Sequence, residues 1–276
     1  MQPLTWECRE KIREAFRLYP PELSEFTFTN LFMWLKSRPL WFFEVEGTLA
    51  FFRKNKEGSW ILFGPLFGKM PFEEFLSRLP VAVSGFDRTP FPYVKKCCSA
   101  PDQCDYVYRI QDLTRLEGPR FQRKRQLIHG CIDRYGPIYE VIDQGNIGEL
   151  FLLHEEIFAD APKTEGLERE FIAVKELLNI YFDVRVYGGL IRIDGKAKAF
   201  IICGHLNPTT AVGHAEKAAR NFYGLSELAL HWICTHALEE YTYLNTEQDL
   251  GLAGLREAKT RWHPDHMTVK YRFGNN

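Results

Sequence analysis

The 276-residue sequence carries almost no net charge: 35 lysines and arginines face 36 aspartates and glutamates, leaving a formal −1. Such a chain generates no global field to hold nucleic acid or an anionic membrane, so any polyanion must bind a local patch. No apolar run approaches the roughly 18 uncharged residues of a membrane-spanning helix; even the greasy stretch 40–52 is interrupted by Glu44 and Glu46. Residues 1–6 lack the basic segment and apolar core of a signal peptide. Seven cysteines form an odd set without framework spacing, which predicts reduced thiols, no disulfides and a soluble, cytoplasmic protein. Cys97, Cys98 and Cys104 lack the paired CxxC spacing of a structural zinc site, and His129 and Cys131 supply no regular complement, so no metal is expected.

What is present is a packed composition, 45% hydrophobic and 26% charged, on a chain long enough for two domains. The first part reads as a helix over 23–35, then a hairpin of 40–45 and 49–53 around Glu46-Gly47, and a strand at 60–63. A helix over 72–79 follows Pro71, then a strand at 81–84. Tyr106, Tyr108 and Ile110 alternate as in a strand, and Pro119 introduces a helix with Phe121, Ile128, Ile132 and Tyr135 on one face. The pattern breaks at 136–137 and 143–146, which divides the chain into domains 1–140 and 141–276. The second domain reads as helices 147–158 and 168–182, then a hairpin of 185–193 and 198–204 around Asp194-Gly195. A strand at 210–216, a turn at Gly224, a helix over 225–238, a strand at 241–245, a helix over 252–262 and a last strand at 267–273 complete it. Helices, an antiparallel meander, a glycine turn, a helix and further strand form a GNAT-like order. The expectation is a tandem GNAT-like α/β (α+β) fold, two mixed sheets flanked by helices.

Asn221, Gly224 and Ser226 form a degenerate pyrophosphate loop, in which a glycine lets backbone amides approach an anion at a helix N-terminus; an ordinary strand-to-helix turn also favours glycine. Glu216 and Lys217 end the preceding strand, where a carboxylate can take a proton from an attacking amine and a lysine can steady phosphate, or where the two simply form a surface ion pair. His214, on the same strand face as Glu216, reads as a hydrogen-bonded neutral histidine. Asn245, Glu247 and Asp249 lie in a polar, glycine-containing loop that leads to Arg256 and Lys259. Those two cations, three apart on a helix, can meet one anion; alternatively Asp249 caps the helix and the cations are solvated. Arg120, Arg123, Lys124 and Arg125 make a basic helix that suits the phosphate of a coenzyme or RNA, or is that helix's wet side.

Several of these blocks occur together in order: 188–200, His214-Ala-Glu-Lys217, 241–251, Gly254-Leu-Arg-Glu-Ala-Lys259 and His263-Pro264, and earlier 25–34, 112–118 and Arg123-Lys-Arg125. Together they resemble the phosphatidylglycerol lysyltransferase C-terminal domain family over nearly the whole chain. The resemblance implies a tandem GNAT-like fold related to the Fem peptidoglycan aminoacyltransferases, with an acyl-donor groove in one or both halves. It implies a site lined by Glu216, Lys217, Asn245, Glu247, Asp249, Arg256 and Lys259, with Arg123, Lys124 and Arg125 contributing. The expected activity is transfer of an activated acyl group from aminoacyl-tRNA to an amine or hydroxyl, Glu216 acting as base and Asn245 orienting a substrate; acyl-CoA is the alternative donor. A non-catalytic ligand- or protein-binding module is the rival. Membrane members attach this module to a multi-helix flippase, whereas this sequence has no spanning segment, so lysine transfer to phosphatidylglycerol is not the expected activity.

Overall fold

The computed structural model describes residues 1–90 and 98–273. In chain order the elements are β1 (Gln2–Pro3), α1 (Arg9–Leu18), α2 (Phe28–Met33), β2 (Trp41–Val45), β3 (Thr48–Lys54), β4 (Trp60–Phe67), α3 (Phe72–Ser77), β5 (Val83–Thr89) and β6 (Cys98–Ser99). They continue with β7 (Asp105–Arg109), α4 (Ile110–Arg115), α5 (Gln122–Tyr135), β8 (Ile138–Val141), α6 (Ile147–Ala159), α7 (Glu165–Asn179), β9 (Val186–Ile193), β10 (Lys196–Asn207) and β11 (Thr210–Ala218). The last are α8 (Leu225–Ala237), β12 (Tyr243–Asn245), α9 (Ala253–Thr260), β13 (His266–Thr268) and β14 (Tyr271–Phe273).

Local chemistry accounts for much of this. Glu46-Gly47 and Asp194-Gly195 all take positive φ, 47° and 71° in one turn and 50° and 73° in the other, and that backbone twist matches the flanking strands of a two-residue hairpin. Thr27 and Thr164 cap α2 and α7 by accepting the backbone N–H of Asn30 and Leu167. The expected helix over 23–35 is shorter, because Thr27 starts α2 there, and α1 was not anticipated.

The two sheets repeat one plan. In the first, β2, β3 and β4 form an antiparallel meander, α3 crosses over, and β5 returns parallel to β4. In the second, β9, β10 and β11 form the meander, α8 crosses over, and β12 returns parallel to β11. Both sheets are covered on two faces. Phe51 packs with Ile12, Phe26 and Leu31 on one side of the first sheet, while its neighbour Phe52 packs with Leu62 and Phe75 on the other. In the second sheet Ile201 faces Phe121, Ile128 and Leu228, while Phe200 and Ile202 face Leu153, Val174 and Leu177.

The expected division at 140/141 does not coincide with the sheets. The second sheet runs β13-β7-β12-β11-β10-β9-β8, so the chain joins it at Asp105, and α4 and α5 pack on its core. The first sheet runs β1-β2-β3-β4-β5-β14-β6 and takes its sixth strand from the other end of the chain. The single strand expected at 267–273 is therefore two, one in each sheet. The apolar periodicity of β7 and α5 identified the elements but not the sheet they cover.

Lys270 lies at this last crossing, fully buried, with Nζ 2.7 and 2.8 Å from the Glu25 carboxylate oxygens and 2.5 Å from Asp105 Oδ1. The Arg88 guanidinium donates to the same Glu25 carboxylate. Burial opposes the Glu25 charge, but Lys270 and Arg88 outweigh it and hold the pKa at about 2. At Asp105 burial wins over Lys270, and the pKa is raised.

Candidate active site

A cleft of about 2130 Å³ is lined by both halves, from Glu25, Trp34, Arg38 and Arg88 on one side to Glu216, Ser226, Glu247 and Lys259 on the other. Among the described residues it collects thirteen lysines and arginines against six carboxylates. This is the local positive field that the balanced composition left open.

The second sheet opens into the cleft. Parallel pairing between β11 and β12 covers only Thr210–Val212 against Tyr243–Asn245; beyond it β11 runs on, and Gly213, His214, Ala215 and Glu216 line the cleft. Ile202 pairs with Ala215 and Cys203 with Gly213, so His214 is the extra residue of a bulge. The bulge turns its ring inward over Gly204, where a Cβ would come within 2.5 Å of Nε2. The imidazole is buried, neither ring nitrogen has a hydrogen-bond partner among the described residues, and the Glu247 carboxylate lies 3.9 Å away. The hydrogen bond expected for His214 is thus absent.

Glu216 and Ser226 meet at the cleft: the Ser226 hydroxyl donates to Glu216 Oε1. Glu216 is solvent-accessible from the cleft, yet the surrounding protein displaces enough water to raise its pKa, against the Ser226 hydrogen bond and Lys259. Lys259 and Lys124 approach from two helices. Burial lowers the pKa of both, opposed at Lys259 by Glu247 and Glu216 and at Lys124 by Glu227. Lys124 Nζ lies 3.3 Å from Glu227 Oε1 and 4.2 Å from the centre of the Trp262 ring, while Lys259 Nζ donates to the Thr246 carbonyl and hydroxyl. Glu247 has a left-handed backbone, φ 62°, held by its N–H to Asn245 Oδ1 at 2.8 Å, and its Oε1 accepts from Asn30 Nδ2 at 2.8 Å. A non-glycine residue held there is strained, a feature concentrated at functional sites. Arg123 also faces the cleft.

Other expected site residues lie elsewhere. Asn245 is buried, its amide donating to Asp105 Oδ2 at 3.0 Å, so it supports the Glu247 turn rather than reaching a substrate. Asp249 is buried too, bridged by Arg256 Nε at 2.7 Å and the Tyr106 hydroxyl at 2.7 Å. It closes the turn at Gly251, whereas α9 starts at Ala253 after Leu252, which makes no side-chain cap. Arg256 is therefore an ion-pair partner, and it and Lys259 do not converge on one anion. Arg125 turns back to the carbonyls of Leu116 and Gly118. Lys217 is paired with Glu170 at 2.7 Å. Asn221 is exposed and lines neither the cleft nor the smaller pocket beside it. Gly224 starts α8 at φ 74°, but a Cβ there would lie 2.1 Å from the Leu127 carbonyl oxygen, so packing against α5 explains the glycine without a ligand.

Sequence reasoning missed Arg38, Arg169 and Arg220, which line the cleft from separate elements and form no cluster in the chain. Arg38 lies 4.2 Å from the Trp34 ring; its side chain is open to the cleft, yet the surrounding protein displaces enough water, with Arg88 adding to the effect, to lower its pKa to about 10. Among the described residues no group of His, Cys, Asp and Glu is arranged to hold a metal, the described free cysteines form no disulfide, and no helix is long and apolar enough to cross a membrane. Cys97 lies outside the described residues, as does the Cys98 side chain.

The fold is similar to that of solved proteins. A conserved protein of unknown function from Bacteroides thetaiotaomicron superposes with a TM-score of 0.88 at 24% identity, covering 98% of this chain and 97% of its own. L-PGS from Bacillus licheniformis gives 0.65 at 13% identity over 95% and 90%, and FemX gives 0.61 at 9% over 100% and 98%. The architecture is thus GNAT-like, two mixed sheets flanked by helices. No curated protein matches the sequence. The family model described as phosphatidylglycerol lysyltransferase, C-terminal, matches residues 16–273. The chain belongs to that family.

Proposed function

We propose that the chain transfers an aminoacyl group from aminoacyl-tRNA to an amine or hydroxyl acceptor. The observation that carries this reading is the cleft's excess of cations in a chain whose overall charge is −1, because a polyanionic donor needs a local positive field. The family description names a lysyltransferase, and the related solved structures include L-PGS. In this reading the donor ester lies along the open edge of β11, whose amides past Val212 stabilise the oxyanion as the acceptor attacks. Glu216, with its raised pKa, takes the proton that the acceptor loses. The aminoacyl group ends on the acceptor as its ester C–O bond to tRNA breaks, the proton taken by Glu216 passes to the departing 3′ oxygen, which leaves as a free hydroxyl, and no covalent enzyme intermediate forms. Acyl-CoA is the second reading, supported by the start of α8 beside the same edge, where helix amides suit a pyrophosphate.

The test is to incubate the protein with labelled aminoacyl-tRNAs or acyl-CoAs and a panel of amine and hydroxyl acceptors, following the label by mass spectrometry. Transfer from RNA that weakens steeply as salt rises supports the first reading. Transfer from the thioester alone selects the second, and a cleft that binds ligand without transfer from either donor refutes both.

A further inference from the structure

Several buried polar atoms without partners lie where the two halves meet. Among the described residues they include Arg88 Nε from the first half, Gln103 Oε1 from the segment before β7, and both ring nitrogens of His214 from the second half, and all three residues line the cleft. Buried polar groups are normally hydrogen-bonded, so each such atom calls for an explanation. His214 is the sharpest case. Its side chain is 0% exposed, so neither water nor a ligand reaches the ring, and its missing partner must come from the protein itself. Nε2 lies against Gly204, 2.5 Å from where a Cβ would stand, and the glycine methylene accepts no proton; the ring proton therefore belongs on Nδ1. Nδ1 looks toward Glu247 Oε1 at 3.9 Å, about 1 Å beyond hydrogen-bond reach.

The Glu247 carboxylate stands between two donors. On one side Asn30 Nδ2, from α2 in the first half, reaches Oε1 at 2.8 Å; on the other is His214, from β11 in the second. The backbone of Glu247 is pinned by its N–H to Asn245 Oδ1 at 2.8 Å, so the side chain can travel without the turn. Asn30 does not depend on Glu247 alone, because the same amide nitrogen also donates to the Ser24 carbonyl at 2.9 Å. Moving the carboxylate replaces one charge-assisted hydrogen bond with another and gives the buried ring its partner, which leaves the two positions close in free energy. A bistable contact requires that closeness.

We propose that Glu247 is a two-position latch between the halves and that His214 is its second seat: on Asn30 the carboxylate ties α2 to the turn after β12, and on His214 it frees α2 and widens the cleft. His214 is then a positioning residue, acting through Glu247 and touching no substrate. The arrangement accounts for an imidazole buried without a partner and for a glycine at position 204, where any Cβ would push the ring away from Glu247. The inference goes beyond the transfer reading and does not need it. For a donor as large as an RNA, a cleft released at one hydrogen bond would admit the end of the chain and then close on it.

The experiment is nuclear magnetic resonance on the full chain, with the histidine rings labelled with heavy nitrogen and assigned through their bonds to the backbone, together with amide hydrogen exchange. His214 is expected to carry its proton on Nδ1; a proton on Nε2 would overturn the proposal. Asn30→Ala removes the first seat and should move the Nδ1 proton downfield as it bonds to the carboxylate, a shift that disappears when Glu247→Ala is added. Unchanged His214 signals in Asn30→Ala would equally overturn it. His214→Phe keeps a ring of similar shape but no donor, so Glu247 stays on Asn30 and the α2 amides should exchange about tenfold more slowly, the effect of one buried hydrogen bond. An unchanged or faster rate would remove the latch. Should the variants fail to fold, the ring proton in the unaltered chain decides alone: Nδ1 supports the second seat and Nε2 excludes it. No transfer assay enters these measurements, so the latch and the transfer reading stand or fall separately.

Discussion

Replacing Lys270 with Met tests whether the buried charge cluster holds the two sheets together. The substitution preserves length and apolar bulk but leaves the Glu25 and Asp105 carboxylates buried with one cation fewer. Removing one partner from a buried ion pair costs about 3–5 kcal/mol. Arg88 still pairs with Glu25, so the lower figure applies, about 3 kcal/mol, and Tm should fall by about 6–12 °C for a chain of this size. Acidification should shrink the defect. The folded pKa of Asp105 is already raised, so its charge opposes folding at neutral pH, and proton uptake on the way down removes that penalty. Glu25 behaves oppositely in the unaltered chain: its lowered pKa contributes stability above the ordinary glutamate range that is lost only as pH falls towards about 2. Scanning calorimetry between pH 4.5 and 8, on Lys270→Met and on its combination with Asp105→Asn, measures both effects. The double variant should regain about 1–2 kcal/mol over the single, since the amide removes one buried charge. An unchanged Tm, or a defect that grows with acid, would refute the reasoning.

Two further substitutions probe the site. Gly224→Ala combines a left-handed backbone with a Cβ driven into the Leu127 carbonyl; it should lower stability by about 2–4 kcal/mol, read by urea denaturation, and a loss below about 0.5 kcal/mol would show that α5 and α8 separate easily. Glu216→Gln should retain Tm and donor affinity while reducing turnover by about 10²-fold or more; unchanged turnover would remove Glu216 as the base, and early melting would mark it as structural.

Features encoded within a few residues were legible in advance. Asp194-Gly195 and Glu46-Gly47 announce their hairpins because both positions must reach positive φ, and Glu216 was placed beside the turn that holds Ser226 because that turn directly follows its strand. Strand partners were not legible: nothing local in Asp105–Arg109 states that its neighbours are Tyr243–Asn245 and His266–Thr268. Composition also failed to separate a ligand site from a buried polar network. Asn245, Asp249 and Arg256 are the residue types a substrate would need, yet each is occupied by Asp105, Tyr106 or Asp102 from elsewhere in the chain. Arg38 and Arg220 acquire meaning only once folding brings their elements to the same cleft.

The exchange of β7 and β14 makes the molecule a clasp. Each half lends a strand that sits between two others in the opposite sheet, so neither half is a separable module, and pieces divided at 140/141 would each lack an interior strand. A backbone nick in the turn after α5 would, by contrast, leave every strand in place and the two fragments threaded through one another. Loosening the final strand would open the first sheet while releasing the Glu25 and Asp105 carboxylates, so wear at one end of the chain is transmitted to the seam beside the cleft.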